Sequence, residues 1–274
     1  MHVEHSATQI GYACRHTPEL MPLPIVAAHR LSRRLEVALK DGAAQFLSPD
    51  GQVQVAVEFR ERSPVRIHNI GLTAALSEGV GVDEIRMVEE LLRNETIPAA
   101  FEGLSVAPDH ETRILVRTVP AAGEGMGRHS GLTGRKTADD GYGGFCRQAT
   151  GSLSGKDPRR IDRTAAYAAR HIGKCVAAAD LAGECEVQLS YCAGQDEAVS
   201  LAVDTFASGR IADDEIFRRV MRRFDLTPAA IAERYRLWQL PADNGGHFYA
   251  RLAAYGHNGP GGSRCAVGGC LGCC

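Results

Sequence analysis

The sequence predicts an α+β fold in two related parts, each a strand pair covered by helices, and three observations carry that reading. Val53 to Phe59 with Val65 to Ile70, and 184–193 with 197–206, form paired runs whose apolar residues follow the period of two that marks strands. Segments of helical period separate these pairs. A seam at Ala107-Pro108-Asp109 divides a chain of 274 residues, a length that allows one large domain or two smaller ones with real cores.

Met21 to Lys40 reads as the first helix, because Ile25, Ala28, Leu31, Leu35 and Leu39 recur on one face while Arg30, Arg33, Arg34 and Lys40 lie elsewhere. Pro22 and Pro24 suit its first turn and Asp41-Gly42 its end. The first strand pair turns around Glu61-Arg62-Ser63-Pro64, and Val82 to Arg93 follows as a second helix. Thr112 to Val119 is expected as the strand that opens the second part. Helix 158–180 comes next, then the second strand pair around Gly194-Gln195-Asp196-Glu197, then helices Asp213 to Phe224 and Pro228 to Trp238. Phe224 and Trp238 are expected as core anchors, and Arg218, Arg219, Arg222 and Arg223 as a solvated face. Gly259-Pro260-Gly261-Gly262-Ser263 reads as a linker. The expected division is therefore 1–107, 108–258 and a Gly/Cys-rich tail, 259–274.

Composition narrows the function classes. Hydrophobic residues at 44% and charged residues at 23% are those of an ordinary folded domain. A net charge of −2 gives no global basic field for nucleic acid. No apolar run approaches the roughly 18 residues of a membrane helix, and no signal peptide is visible, so a cytoplasmic location is expected. Cys14, Cys146, Cys175, Cys185 and Cys192 are scattered through predicted elements, where a free cysteine is a small hydrophobe. Cys265, Cys270, Cys273 and Cys274 crowd the tail, where they could bind Zn2+ or Cu+, exchange redox equivalents, anchor a partner, or have no role. An odd total of nine cysteines argues against a complete intramolecular disulfide framework. His5, His68, His110, His171 and His257 lack paired ligand spacing, so no histidine metal site is expected.

The chemistry concentrates in Gly131-Leu132-Thr133-Gly134-Arg135-Lys136 and, further on, Ser154-Gly155-Lys156-Asp157. Glycines let backbone approach an anion closely, and a lysine before a helix beginning near Pro158 sits beside unpaired N–H groups and a partial positive charge. Gly151 to Asp157 lacks the spacing of a P-loop. From spacing alone, a polyphosphate site and a capped helix with solvated cations both remain open.

Gly131 to Lys136, Gly141-Tyr142-Gly143-Gly144, Arg147, Ser154 to Asp157 and Asp162 to Arg170 closely resemble the carboxyl-terminal part of the S-adenosylmethionine synthetase (methionine adenosyltransferase) family. Gly11-Tyr12-Ala13, Leu20-Met21-Pro22 and Ala28-His29-Arg30-Leu31 resemble the opening of its central domain, and Glu186 to Tyr191 and Ala253 to His257 its later strands and tail. The resemblance implies α+β domains related by a pseudo-threefold axis, with the central and C-terminal domains present here and the N-terminal domain expected to be absent. It implies adenosyl transfer from ATP to methionine or a related thioether with loss of triphosphate, Mg2+ with K+ as an optional second ion, and oligomers formed through sheet faces. The expected partners are a second copy of the chain, or a separate N-terminal synthetase-like chain that completes a split enzyme.

The same resemblance assigns residues. Arg135, Lys136 and Lys156 would clamp the triphosphate as the catalytic cations, Asp162 would face methionine or a metal ion, and Arg160 would stand near the amino acid's carboxylate. Arg113 would lie close to the nucleotide, and Asp50 matches an acidic residue in a Pro-Asp turn. Departures fall at the chemistry: Gln52 replaces a lysine, His129 beside Arg128 replaces an aspartate, Ile114 stands for an aromatic packed on adenine, and Ala149-Thr150-Gly151 replaces three glycines. The alternative implied by these departures is a catalytically silent nucleotide-binding or assembly subunit of a synthetase.

Overall fold

The computed structural model describes residues 3–40, 45–120, 137–149 and 151–258. The chain divides into two compact units, one of residues 23–132 and one that joins residues 1–22 to 133–274. The earliest strand, β1 (Ala7–Cys14), belongs to the second of these.

In the unit of residues 23–132, helix α1 (Leu23–Lys40) covers a three-stranded sheet of order β2-β3-β4. β2 (Leu47–Arg60) and β3 (Ser63–Leu76) form an antiparallel hairpin in which Arg60 pairs with Ser63. Glu61 and Arg62 make the two-residue turn with φ of 47° and 63°; two positive φ angles give a turn whose twist matches that of the flanking strands. Helix α2 (Val82–Leu91) runs through a π-helical turn, Leu92–Thr96, into α3 (Ile97–Phe101). β4 (Arg113–Pro120) then pairs in parallel with β3, Ile70 opposite Ile114. The strand expected to open the second part thus closes the first sheet, because α2 and α3 supply the crossover that a parallel neighbour requires. Ile70, Leu72, Ala74 and Leu76 alternate inward along β3 and meet Leu31, Leu35, Val88, Leu92 and Phe101 in one core.

The other unit is built on the antiparallel order β1-β5-β6, with β5 (Glu184–Tyr191) central and β6 (Ser200–Asp204) at an edge. A short turn of helix, α4 (Thr137–Asp140), precedes the long α5 (Ile161–Ala178), and α6 (Asp213–Arg223), α7 (Pro228–Arg234), α8 (Leu240–Asp243) and α9 (Phe248–Leu252) complete the unit. Thr227 caps α7 by accepting a hydrogen bond from the Ala230 N–H. β1 escapes a reading by period two because every residue from Gln9 to Cys14 is buried; a strand buried on both faces shows no alternation.

α5 lies directly on β1. A Cβ on Gly11 would overlap the backbone of Ala169, and a Cβ on Gly173 would stand 3.6 Å from that of Ala13. Small residues on both elements therefore set the separation of strand and helix. Every α5 residue from Ile161 to Gly173 is buried, and the hydrophobic core of the unit gathers around Ala165, Ala169, Ile172, Val187 and Leu189. Burial includes Arg163 and Arg170, each 1% exposed. Arg170 donates to the carbonyls of Tyr12 at 2.6 Å, Leu20 at 2.9 Å and Glu19 at 2.9 Å, so its charge is spent on fixing the turn that leaves β1.

Two expectations about side chains are corrected. Trp238 is half exposed, and its neighbour Leu237 takes the core position instead, because α7 ends at Arg234 and the chain turns there. Cys192 is exposed, whereas Cys14 and Cys185 are buried and their thiols are pushed up to about 12, chiefly by burial. Cys14, Cys146, Cys175, Cys185 and Cys192 form no disulfide. Arg218, Arg219, Arg222 and Arg223 do form an exposed face on α6, with Ile216 and Val220 buried opposite. Among the described residues no helix is long and apolar enough to cross a membrane.

Two outcomes are expected. Gly11→Ala must push α5 off β1 and is expected to cost about 3 kcal/mol or more in urea denaturation; an unchanged midpoint would refute the contact. His171, buried with Nδ1 2.8 Å from the Tyr235 hydroxyl, is pushed down to about 4 by burial and then by the charges of Arg234, Lys174 and Arg223. Its folded value lies below the unfolded one, so it contributes stability above about pH 6.5 that is lost as pH falls toward 4. Nuclear magnetic resonance titration should show this imidazole neutral at pH 5, and a midpoint near 6.5 would contradict the assignment.

Candidate functional site

The turn Leu153 to Asp157 carries Lys156 just ahead of α5. The Lys156 N–H donates to the Leu153 carbonyl at 3.3 Å, and Gly155 takes φ of 77°, which glycine adopts without steric cost. Arg163, one turn into α5, locks this loop from beneath. Its Nε donates to the Lys156 carbonyl at 2.6 Å, and its Nη2 to the Leu153 carbonyl at 2.6 Å. Its remaining nitrogen reaches the Tyr167 hydroxyl at 2.5 Å, and the guanidinium lies 4.3 Å from the centre of the Tyr249 ring.

Lys156 is thereby aimed at Asp162. Its Nζ stands 3.0 Å from Oδ2, the same oxygen that His5 Nε2 approaches at 2.7 Å, while Gln9 Nε2 donates to Oδ1 at 3.3 Å. Asp162 is 5% exposed and lies in the first turn of α5, where the helix dipole favours an anion. Burial pushes its carboxyl up, but the hydrogen bonds and charges of Lys156 and His5 together outweigh burial and hold it below the usual carboxylate range. Gly151 is required beside it, since a Cβ there would overlap Oδ1. Gly151, Gln9 and Ala166 also line a small cavity of about 50 Å³ that extends past Tyr142 to His257. His257 is buried between Ser154 and Tyr167, at 3.4 and 3.5 Å, and is pushed down to about 4 by burial and then by Arg163.

Of the residues singled out from sequence, Lys156 and Asp162 meet directly. Arg160 sits at the residue preceding α5, with Nη1 4.0 Å from Glu4. Arg113 and Asp50 lie in the other unit, Arg113 exposed at the start of β4 and Asp50 half-buried in β2 beside the register shift between Leu47 and Gly51. Gln52 is exposed on β2, and Ile114 packs against that unit's core. Arg135, Lys136, Arg128, His129 and the tail cysteines Cys265, Cys270, Cys273 and Cys274 lie outside the described residues. Sequence reasoning missed His5, Gln9 and the clamping role of Arg163, because His5 and Gln9 reach Asp162 across more than 150 positions of chain. The presence of Gln9 two residues before Gly11 in β1 was the available signal, since alternate strand residues share a face.

A divalent ion is not accommodated by these groups alone. Both oxygens of Asp162 already accept from Lys156, His5 and Gln9, and among the described residues no cluster of three or more His, Cys, Asp or Glu side chains could hold a metal ion. Hard cations such as Mg2+ require several oxygen ligands, which this donor set does not supply.

Comparison with known proteins gives the geometry its context. The family model for the S-adenosylmethionine synthetase central domain matches residues 2–120, and that for the C-terminal domain matches residues 123–264. The chain belongs to the S-adenosylmethionine synthetase family. It is 45% identical over 255 residues to an S-adenosylmethionine synthase of Synechococcus sp. (strain JA-2-3B'a(2-13)), covering 91% of this chain and 62% of that protein. The S-adenosylmethionine synthase of Gloeobacter violaceus is 44% identical over 262 residues, with the same coverage. That of Prochlorococcus marinus (strain MIT 9313) is 44% identical over 256 residues, covering 91% of this chain and 61% of the relative. The chain thus spans about three fifths of the length of the curated relatives it matches. The family models change over between residues 120 and 123, yet β1, matched by the central-domain model, packs with the elements matched by the C-terminal one.

Asp162 has a depressed folded-state value, so its stabilising contribution is present above its ordinary value of 3.8 and is lost as pH falls through the lower folded one. Asp162→Asn is expected to cost about 1–3 kcal/mol at neutral pH, by leaving Lys156 and His5 without their charged acceptor. The deficit should shrink as the wild type loses its own share below pH 4. Urea denaturation of both proteins from pH 7 down checks this, and parallel curves would overturn it.

Proposed function

We propose that this chain provides the anion-holding part of a cytoplasmic, oligomeric S-adenosylmethionine synthetase, with ATP and methionine or a related thioether as substrates. The thioether sulfur forms a bond to the ribose C5′ as the C5′–O bond breaks, and triphosphate leaves with the electron pair. The observation that carries the reading is Lys156, held in place by Arg163 and oriented by Asp162 in the segment that the C-terminal family model matches. A lysine held at the phosphates stabilises charge developing on the departing oxygen. Asp162 acts as a positioning residue for Lys156 and faces the amino-acid substrate in this proposal. Arg135 and Lys136 are the further cations of the clamp in this proposal, with Arg160 toward the amino acid and Arg113 and Asp50 toward the nucleotide. The rest of the site comes from the portion of a synthetase that the relatives carry beyond the matched span, on the same polypeptide or on a second chain.

A second reading, a catalytically silent nucleotide-binding or assembly subunit, is favoured by one observation: the Lys156 charge is already matched by Asp162. One experiment separates the two. The chain, alone and with the amino-terminal portion of the Gloeobacter relative, is incubated with ATP, a magnesium salt and methionine, and the adenosyl product is followed by mass spectrometry. Product is expected when both parts are present, and Lys156→Ala should lower its rate by about 10²–10³-fold. ATP binding with no product under either condition would establish the silent subunit.

A further inference from the structure

Between the carboxyl-terminal end of α5 and α6 lies a cavity of about 340 Å³, at the low end of the roughly 300–1,000 Å³ that small-ligand clefts occupy. Ile172, Val176, Ile216 and Val220 give it an aliphatic wall, and Cys175 stands half-buried beside them. Its other lining residues include Arg219, Arg222 and Arg223, all exposed on α6. Apolar walls below and guanidinium groups at the rim are the two halves of a site for an amphiphile.

The guanidinium groups of α6 crowd one carboxylate. Glu215 is shared by Arg218 at 3.0 Å, Arg219 at 2.9 Å and Arg222 at 3.9 Å, so one carboxylate serves three guanidinium groups. Asp213 faces away from them, with Oδ1 accepting from the Thr205 hydroxyl at 2.6 Å. A second reporter of the same field is His171, whose ring meets Phe224, another lining residue, edge-on at 5.7 Å. Beyond burial, the groups that disfavour its protonation are Arg234, Lys174 and Arg223. Positive potential therefore surrounds an apolar groove, and the occupant that complements both is an anion with a short hydrocarbon body.

We propose that the α5–α6 groove binds a small anionic amphiphile, its acyl-sized apolar body along Val176, Ile216 and Val220 and its carboxylate at Arg222 and Arg223. The site lies within one compact unit, and its test needs no adenosyl transfer, so its success or failure is separate from the synthetase reading.

The probe is decanoate, with decanol as its uncharged counterpart, each titrated calorimetrically into the full chain below micellar concentration. Saturable binding of one decanoate per chain is expected, with decanol at least about tenfold weaker, since a hydrogen bond to a charged group is worth at least that factor. The surface variant Arg222→Gln/Arg223→Gln should lose about tenfold or more for decanoate and nothing for decanol. Decanoate should also slow alkylation of Cys175, read at its own peptide by mass spectrometry. Equal affinity for the two probes, unsaturable uptake, an unaffected arginine variant or unprotected Cys175 would each overturn the proposal. Self-association that the arginine variant abolishes, without decanoate binding, would assign the groove to a second copy and overturn it as well.

Discussion

The contact of Gly11 with Ala169 sets the geometry on which the candidate site depends. Where strand and helix meet through glycine and alanine, their backbones approach until no Cβ fits at Gly11. That approach brings β1 against the first half of α5, and with it the segment that carries His5 and Gln9 to Asp162. A larger residue at either position would widen the gap, and contacts of 2.7 and 3.3 Å do not survive such a shift. The small residues of the packing interface are thus part of the site's construction, although none of them has chemistry of its own.

Close packing has a cost that the helix meets with its arginines. A helix buried on all sides from Ile161 to Gly173 still carries Asp162, Arg163 and Arg170, and buried charge is tolerated only with full hydrogen bonding. Each arginine turns this requirement into architecture: Arg170 gathers three carbonyls at the exit of β1, and Arg163 gathers two in the turn that holds Lys156. A hydrophobic residue would fill the same volume, yet it would leave those carbonyls without donors. The loop bearing the lysine is therefore ordered by a residue seven positions further along the chain, on an element that the core itself holds rigid.

How much of this could be read from sequence follows the same physics. α1, the β2–β3 hairpin and α6 announced themselves because each has one apolar face and one wet face, α5 by its alanine-rich run after Pro158, and Lys156 and Asp162 were visible as a lysine and an acid flanking a helix start. β1 has no wet face and left no period to read. β4 was visible as a strand, but its membership of the first sheet rests on pairing with β3 across α2 and α3, which no local pattern encodes. The approach of His5 to Asp162 is a tertiary event between segments 157 positions apart, and Trp238 was misjudged because a composition rule for tryptophan cannot see that Leu237 already fills the core position.

The charge balance around Lys156 decides what the described part of the site can do. Lys156 and Asp162 form a pair whose charges cancel to first order, and Arg160 faces Glu4 at 4.0 Å. Arg163 is different: its partners are two carbonyls, a tyrosine hydroxyl and an aromatic ring, all neutral. Its charge is left uncancelled by any of them, and it is felt in the depressed proton affinity of His257. Burial away from solvent lengthens the reach of such a charge, because water screens it less. Arg163 therefore serves Lys156 twice, by fixing its backbone and by leaving the turn net positive when the lysine itself is neutralised. An anion arriving at this turn meets a standing positive potential from Arg163, and it gains Lys156 as well to the extent that it can draw the lysine from Asp162.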